Sequence, residues 1–94
     1  MTHEELKKRT ADFANRVTHL TRPLIRELIS RDVGLQLQRS ANGIASNYRS
    51  TGLARSHAEF LSRLAIVLDE SDESLYWLRT SRPQDWQRAE NSAV

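Results

Sequence analysis

The chain contains no cysteine, so it carries no disulfide framework and no thiolate chemistry, which suits a reducing compartment. Glycine is scarce, and Gly34, Gly43 and Gly52 lie nine residues apart. That spacing excludes a clustered phosphate-cradling loop. The two prolines, Pro23 and Pro83, act as punctuation between helical stretches. The apolar run from Leu64 to Leu68 is far too short to span a bilayer, and the opening MTHEELKKRT has no apolar core of the kind a secretion signal needs. His3, His19 and His57 are scattered, with no pair three or four apart and no shared acid, so they form no metal site. No serine sits in a nucleophile elbow. No internal repeat or low-complexity segment is present. These absences leave an expected non-enzyme with no cofactor, no small-molecule substrate and no membrane partner, placed in the cytoplasm.

What remains is helix. The 94 residues make one domain, residues 1–94. Leu61, Leu64, Leu68, Ser71, Leu75 and Leu78 step by alternating threes and fours. This is a heptad seam on a helix from about Ser56 to Thr80, and Phe60 and Val67 widen its stripe. Ser56 is its expected N-cap, with Glu59 at the capping-box spacing. Leu6, Thr10, Phe13, Val17, Leu20 and Leu24 repeat the pattern on a first helix from about His3 to Leu20, capped by Thr2 with Glu5 three residues on. Pro23 ends or kinks it. Leu24, Ile25, Leu28 and Ile29 then form an extra turn or an apolar connector.

A second helix, about Arg31 to Ser50, is capped by Ser30 or Asp32. It carries Val33, Leu37, Ala41, Ile44 and Tyr48 at helical spacing, and Gly52 is its expected left-handed stop. Gly43 inside it costs about 1 kcal/mol relative to alanine. The small-residue run Ser40 to Ser46 therefore predicts a tight helix crossing, or else a bend, near Ala41, Gly43 and Ala45. After Thr80 the chain is polar. It makes two or three turns at most, with Trp86 and Ala89 on one side. The expected architecture is all-α: an antiparallel up-down helical bundle of three main helices plus a short C-terminal fourth. The second and third helices form the hairpin on which the rest packs.

The stretch Gln36-Leu37-Gln38-Arg39-Ser40-Ala41 with Ile44-Ala45-Ser46-Asn47-Tyr48-Arg49 is one signature. Ala54-Arg55-Ser56, Ala58-Glu59-Phe60 and Asp72-Glu73-Ser74-Leu75-Tyr76-Trp77-Leu78 are another. Together with Arg9-Thr10, Asp12-Phe13-Ala14 and Arg16-Val17, they resemble the bacterial four-helix bundle protein family. It is also called the 23S rRNA intervening-sequence protein family. The resemblance covers roughly residues 9 to 79. It implies an up-down bundle, assembly into a homo-oligomer, commonly a pentamer, and no enzymatic activity. A related group serves as the accessory protein of diversity-generating retroelements and binds a reverse transcriptase and nucleic acid. Family members finish with a full fourth helix rich in Leu and Ile, whereas the last segment here is short and polar. Either three helices and a stub suffice, or a neighbouring subunit covers the open groove.

The formal net charge of +2 is unevenly spread. Eleven bases against four acids lie between Leu6 and Arg63, whereas Leu64 to Leu78 holds Asp69, Glu70, Asp72 and Glu73 and no base. Such asymmetry suits an anionic partner or charge pairing between subunits. Lys7, Lys8, Arg9, Arg16, Arg49, Arg55 and Arg63 are the candidate contacts to RNA or DNA phosphates. The acids of 69–73 read as a solvated face.

Pivoting the hairpin near Leu53 sets Asn47 opposite Glu59. Arg39 and Glu73 fall on recurrent family positions but sit out of level by more than a turn. All four are read as a structural polar network. Asp72, Tyr76 and Trp77 are the candidate subunit interface, since aromatic side chains with one wet end favour contact surfaces. The functional expectation is a non-enzymatic self-associating adaptor or scaffold with a basic nucleic-acid surface. The alternative is a purely protein-binding assembly module, or a retroelement accessory protein.

Overall fold

In a computed structural model that describes residues 1–92, Thr2 and Ser56 cap their helices as their spacing predicts. The Thr2 hydroxyl accepts the Glu5 N–H at 3.1 Å and the Ser56 hydroxyl accepts the Glu59 N–H at 3.0 Å. The helices are α1 (His3–Arg26), α2 (Arg31–Thr51), α3 (His57–Thr80) and α4 (Pro83–Ser92). No strand occurs among the described residues.

Three boundaries differ from expectation. α1 runs through Pro23 to Arg26, because the proline removes only one donor and Leu24 behind it is fully buried. Ser30 precedes α2 without capping it. Its hydroxyl instead donates to the Leu24 carbonyl at 2.8 Å and so ties off the end of α1. Gly52 stays right-handed at φ −68°, ψ −14°, and its N–H bonds back to the Arg49 and Ser50 carbonyls. Leu28 and Ile29, in the turn between α1 and α2, are exposed.

α2 lies between α1 and α3 and runs antiparallel to each. Ser40 meets Ser74 and Arg63 meets the Ser50 carbonyl on one side. On the other side, Gly34 meets Leu24 and Ile25, while Tyr48 meets His3. The α1 and α3 backbones do not approach each other closely, and α4 packs on α1. The result is elongated, 47 × 20 × 18 Å. Its radius of gyration of 14.9 Å exceeds the roughly 12 Å expected of a compact chain this long.

Small residues allow the close α2 packing. At Gly34 a Cβ would stand 3.0 Å from Leu24 Cβ and 3.3 Å from the Ile25 nitrogen, so α1 and α2 approach closely there. Gly43, the expected crossing point, faces the Glu70 side chain instead.

The α3 seam does not point at α2. Val67 and Ser74 are its buried residues. At 100° per residue, Leu61, Leu68 and Leu75 sit roughly 80–120° round from Val67. Leu61 is 49% exposed and Leu68 64%. The physical reason is that α2 offers α3 a face of Ser40, Gly43 and Asn47. The small and polar side of α3 fits that face, and the leucines are left over. α1 behaves alike: Ala14, Val17, Thr21 and Leu24 are buried, while Phe13 and Leu20 of its seam stay exposed.

Candidate functional site

Most of the predicted polar network forms, but with different partners. Arg39 is paired through its guanidinium with both Glu70 and Glu73 across the α2–α3 contact. The Glu73 partner lies within reach because the hairpin register sets Ser40 opposite Ser74, which leaves Arg39 and Glu73 less than a turn apart in height. Two of the four acids in 69–73 are thus engaged within the chain, and only Asp69 and Asp72 remain as the expected solvated face. Asn47 and Glu59 do not pair with each other. Asn47 donates to the Gly43 carbonyl in its own helix at 2.8 Å. Glu59 accepts from Arg63 at 2.6 Å and lies 3.5 Å from Arg55. The α2–α3 contact is registered by another pair, the buried hydroxyls of Ser74 and Ser40, bonded at 2.8 Å.

These pairings shrink the basic surface. Arg55 and Arg63 are occupied by Glu59, and Arg63 also donates to the Ser50 carbonyl at 2.6 Å. Lys7 and Arg49 line one shallow groove between α1 and α2 with Asn15, Asn42 and Ser46. Lys7 is loosely bridged to Glu4 at 3.9 Å. Arg9 donates to the Met1 sulfur at 3.8 Å. Lys8 and Arg16 are exposed. The candidates therefore split: five stand on the α1 side, and two belong to the start of α3.

Tyr76 is exposed and meets Trp77 edge to face, with ring centroids 5.0 Å apart. Trp77 turns inward onto the core of Val17, Leu37 and Ala41, where its indole N–H is buried without an acceptor. Trp77 is half-buried against that core, whereas Asp72 and Tyr76 are open to solvent.

Trp86 also packs on that core from α4 and donates its indole N–H to the Ser81 hydroxyl at 2.8 Å. The side chain of Ala89, expected beside it, lies outside the described residues. Asp85, in the first turn of α4, is buried. It accepts the Arg82 backbone N–H at 3.2 Å and binds the Arg82 and Arg88 guanidinia. Hydrogen bonding from Arg82 holds its carboxyl below the ordinary value against the opposing effect of burial.

One open feature is a groove the periodicity pointed to without locating. The groove, of about 570 Å³, is lined by Phe13, Arg16, Val17 and Leu20 of α1, Leu37 of α2 and Leu78 of α3. The leftover seam residues Leu61, Leu68 and Leu75 continue the apolar surface along α3. No His, Cys, Asp or Glu cluster suited to a metal ion occurs among the described residues. No helix of the described residues is long and apolar enough to cross a membrane.

One solved structure aligns with 99% of this chain and 89% of its own, at a TM-score of 0.78 and 29% sequence identity. It is a protein of the S23 ribosomal protein family. That protein comes from Bacteroides thetaiotaomicron VPI-5482 and is of unknown function. The likeness runs through all four helices and supports, at the level of the family, the resemblance carried by the Gln36–Arg49 and Asp72–Leu78 segments. No family model and no curated protein matches the chain.

Proposed function

We propose that the protein is a non-enzymatic, self-associating adaptor or scaffold built as an up-down bundle in which assembly completes the core. One observation carries this reading. α3 is apolar nearly all the way round over Leu64–Leu68 and carries a stripe of Leu61, Leu68, Leu75 and Leu78, yet Val67 and Ser74 are its only buried residues among those described. A helix of that composition is stable when it is buried on several sides, and contiguous exposed apolar surface marks a contact site. The experiment is light scattering on the purified chain across a concentration series. A mass above the 10.8 kDa of one chain is expected, and a monomer at all concentrations would remove the proposal.

A second reading, RNA or DNA binding, is supported by the position of Lys7 and Arg49 in one groove, with Lys8, Arg9 and Arg16 on the same helix as Lys7. Phosphate contacts release counterions, so affinity should fall steeply as salt rises. Filter binding at low salt tests it, and no retention of either nucleic acid rejects it. Arg55 and Arg63 share the single carboxylate of Glu59, which offsets one of their two charges and lowers their contribution to such a surface.

A further inference from the structure

The groove lined by Phe13, Leu20 and Leu78 is built from three helices in three tiers. Its floor is the buried pair Val17 of α1 and Leu37 of α2. Its walls are the partly exposed Phe13 and Leu20 of α1 and Leu78 of α3. Its rim is the exposed, polar trio Asn15, Arg16 and His19. This grading from buried to exposed describes a concavity rather than a flat apolar face. Its volume of about 570 Å³ falls within the roughly 300–1,000 Å³ typical of small-molecule sites, which are mostly apolar with a few polar groups that fix orientation.

The charge at the mouth has one sign. Arg16 makes no ion pair among the described residues, and no carboxylate lines the groove. Asp12, one turn earlier on α1, is exposed and stands outside the lining. On the α3 side, Asp72 lies in a separate pocket with Tyr76 and Arg79. Glu70 and Glu73 are held by Arg39, and Asp85 of α4 by Arg82 and Arg88. An anion entering the groove therefore meets Arg16 without displacing an internal acid.

Height sets the shape of the occupant. From Phe13 to Leu20 the wall runs about 10 Å along α1, and Arg16 stands about midway. A head group held there sits over the middle of the floor, so the body beneath it is compact rather than a long chain. A ring system fits such a floor and meets the Phe13 ring on the wall. A carboxylate matches the planar fork of a single guanidinium. We propose that this groove binds a small aromatic monocarboxylate, with Arg16 and Asn15 taking the carboxylate and the apolar floor and walls taking the ring body. The site does not depend on the assembly reading above, which draws on the exposed Leu61 and Leu68, outside the lining.

The test is equilibrium dialysis of the full chain against naphthylacetate, with naphthylethanol and naphthylmethylamine as its neutral and cationic counterparts. Methyl NMR spectra locate the ligand, and light scattering on the same samples gives the mass. Wild type should bind naphthylacetate with a Kd of about 1 mM or tighter and about fivefold or more tighter than the amine. The methyl shifts should fall on Val17, Leu20, Leu37 and Leu78. Arg16→Glu, at an exposed position, should keep its helicity by circular dichroism and reverse the order, so that the amine binds tighter than the acid. Equal affinity for all three compounds, an order unchanged in Arg16→Glu, or shifts confined to Leu61 and Leu68 each overturn the site. A chain that binds none of the three yet exceeds the mass of one chain overturns the site and leaves assembly standing. A monomer that binds naphthylacetate in the groove does the reverse.

Discussion

Substituting alanine for Gly34 and for Gly43 should move stability in opposite directions, although both glycines sit in α2 and both substitutions improve helix propensity by about 1 kcal/mol. At Gly34 the new methyl would lie 3.0 Å from Leu24 Cβ and Ile25 Cγ1 and 3.3 Å from the Ile25 nitrogen. Leu24 Cβ and a backbone nitrogen yield only if α1 itself shifts, and Leu24 is fully buried. Overpacking of this kind costs about 1–3 kcal/mol. The net expectation for Gly34→Ala is a loss of about 1 kcal/mol, and up to about 2 kcal/mol where α1 cannot give.

At Gly43 the methyl would come within 2.7 Å of Glu70 Cδ, a tighter approach, yet the obstacle is the far end of a flexible side chain. Glu70 swings aside and gives up its 3.5 Å contact with Arg39, whose side chain is half exposed and keeps Glu73. Such a pair contributes about 0–1 kcal/mol. Gly43→Ala is therefore neutral or stabilising by up to about 1 kcal/mol. For a domain of this size 1 kcal/mol moves Tm by about 4–8 °C. Thermal unfolding by circular dichroism at one fixed protein concentration thus separates the two variants clearly. A Gly43→Ala chain melting below a Gly34→Ala chain would refute the assignment of the α1–α2 crossing to Gly34.

Three further outcomes follow from the same geometry. Ser40→Ala should cost about 1–3 kcal/mol in urea unfolding because it leaves the buried Ser74 hydroxyl without an acceptor; Ser74→Ala should cost less, since Ser40 still donates to the Leu37 carbonyl. Trp86→Ala should release α4, removing about 1–3 kcal/mol and making the segment after Thr80 the first site of limited proteolysis, and equal protection in wild type and variant would contradict this. Asp85 has a folded pKa below its unfolded one. Its contribution is complete above the ordinary carboxylate value near 3.9 and is lost as pH falls through the lower folded value. Indole fluorescence should accordingly report release of Trp86 in acid, and Asp85→Asn should abolish that step and leave α4 loosened at every pH.

The polar pairings show how far hairpin register escapes a one-dimensional reading. Arg39 and Glu73 look out of level if the hairpin pivots at Leu53, but Ser40 stands opposite Ser74, so the two are less than a turn apart in height. Asn47 and Glu59 look level on the same pivot, but the Ser40–Ser74 register leaves them about two turns apart, and each finds a partner within its own helix, Gly43 and Arg63. Local partners cost less conformational entropy than distant ones, so a mirrored position across a hairpin is a weak predictor of contact. Trp77 was legible as an aromatic near the seam, yet only packing decides that it faces Val17, Leu37 and Ala41 while Tyr76 faces water.

Periodicity and capping chemistry by themselves determined three long helices, their starts at Thr2 and Ser56, the short polar fourth segment, and the apolar stripes. Those features depend on neighbours three and four residues apart, and such neighbours are visible in the chain. The direction each stripe faces was decided only in three dimensions. On the flank of α2, Ser40 accepts Ser74 while Ile44 and Tyr48 take Val67, and Leu61, Leu68 and Leu75 are turned away. Which of several apolar arcs is buried depends on the shape of the partner surface, and that shape exists only once the helices are side by side.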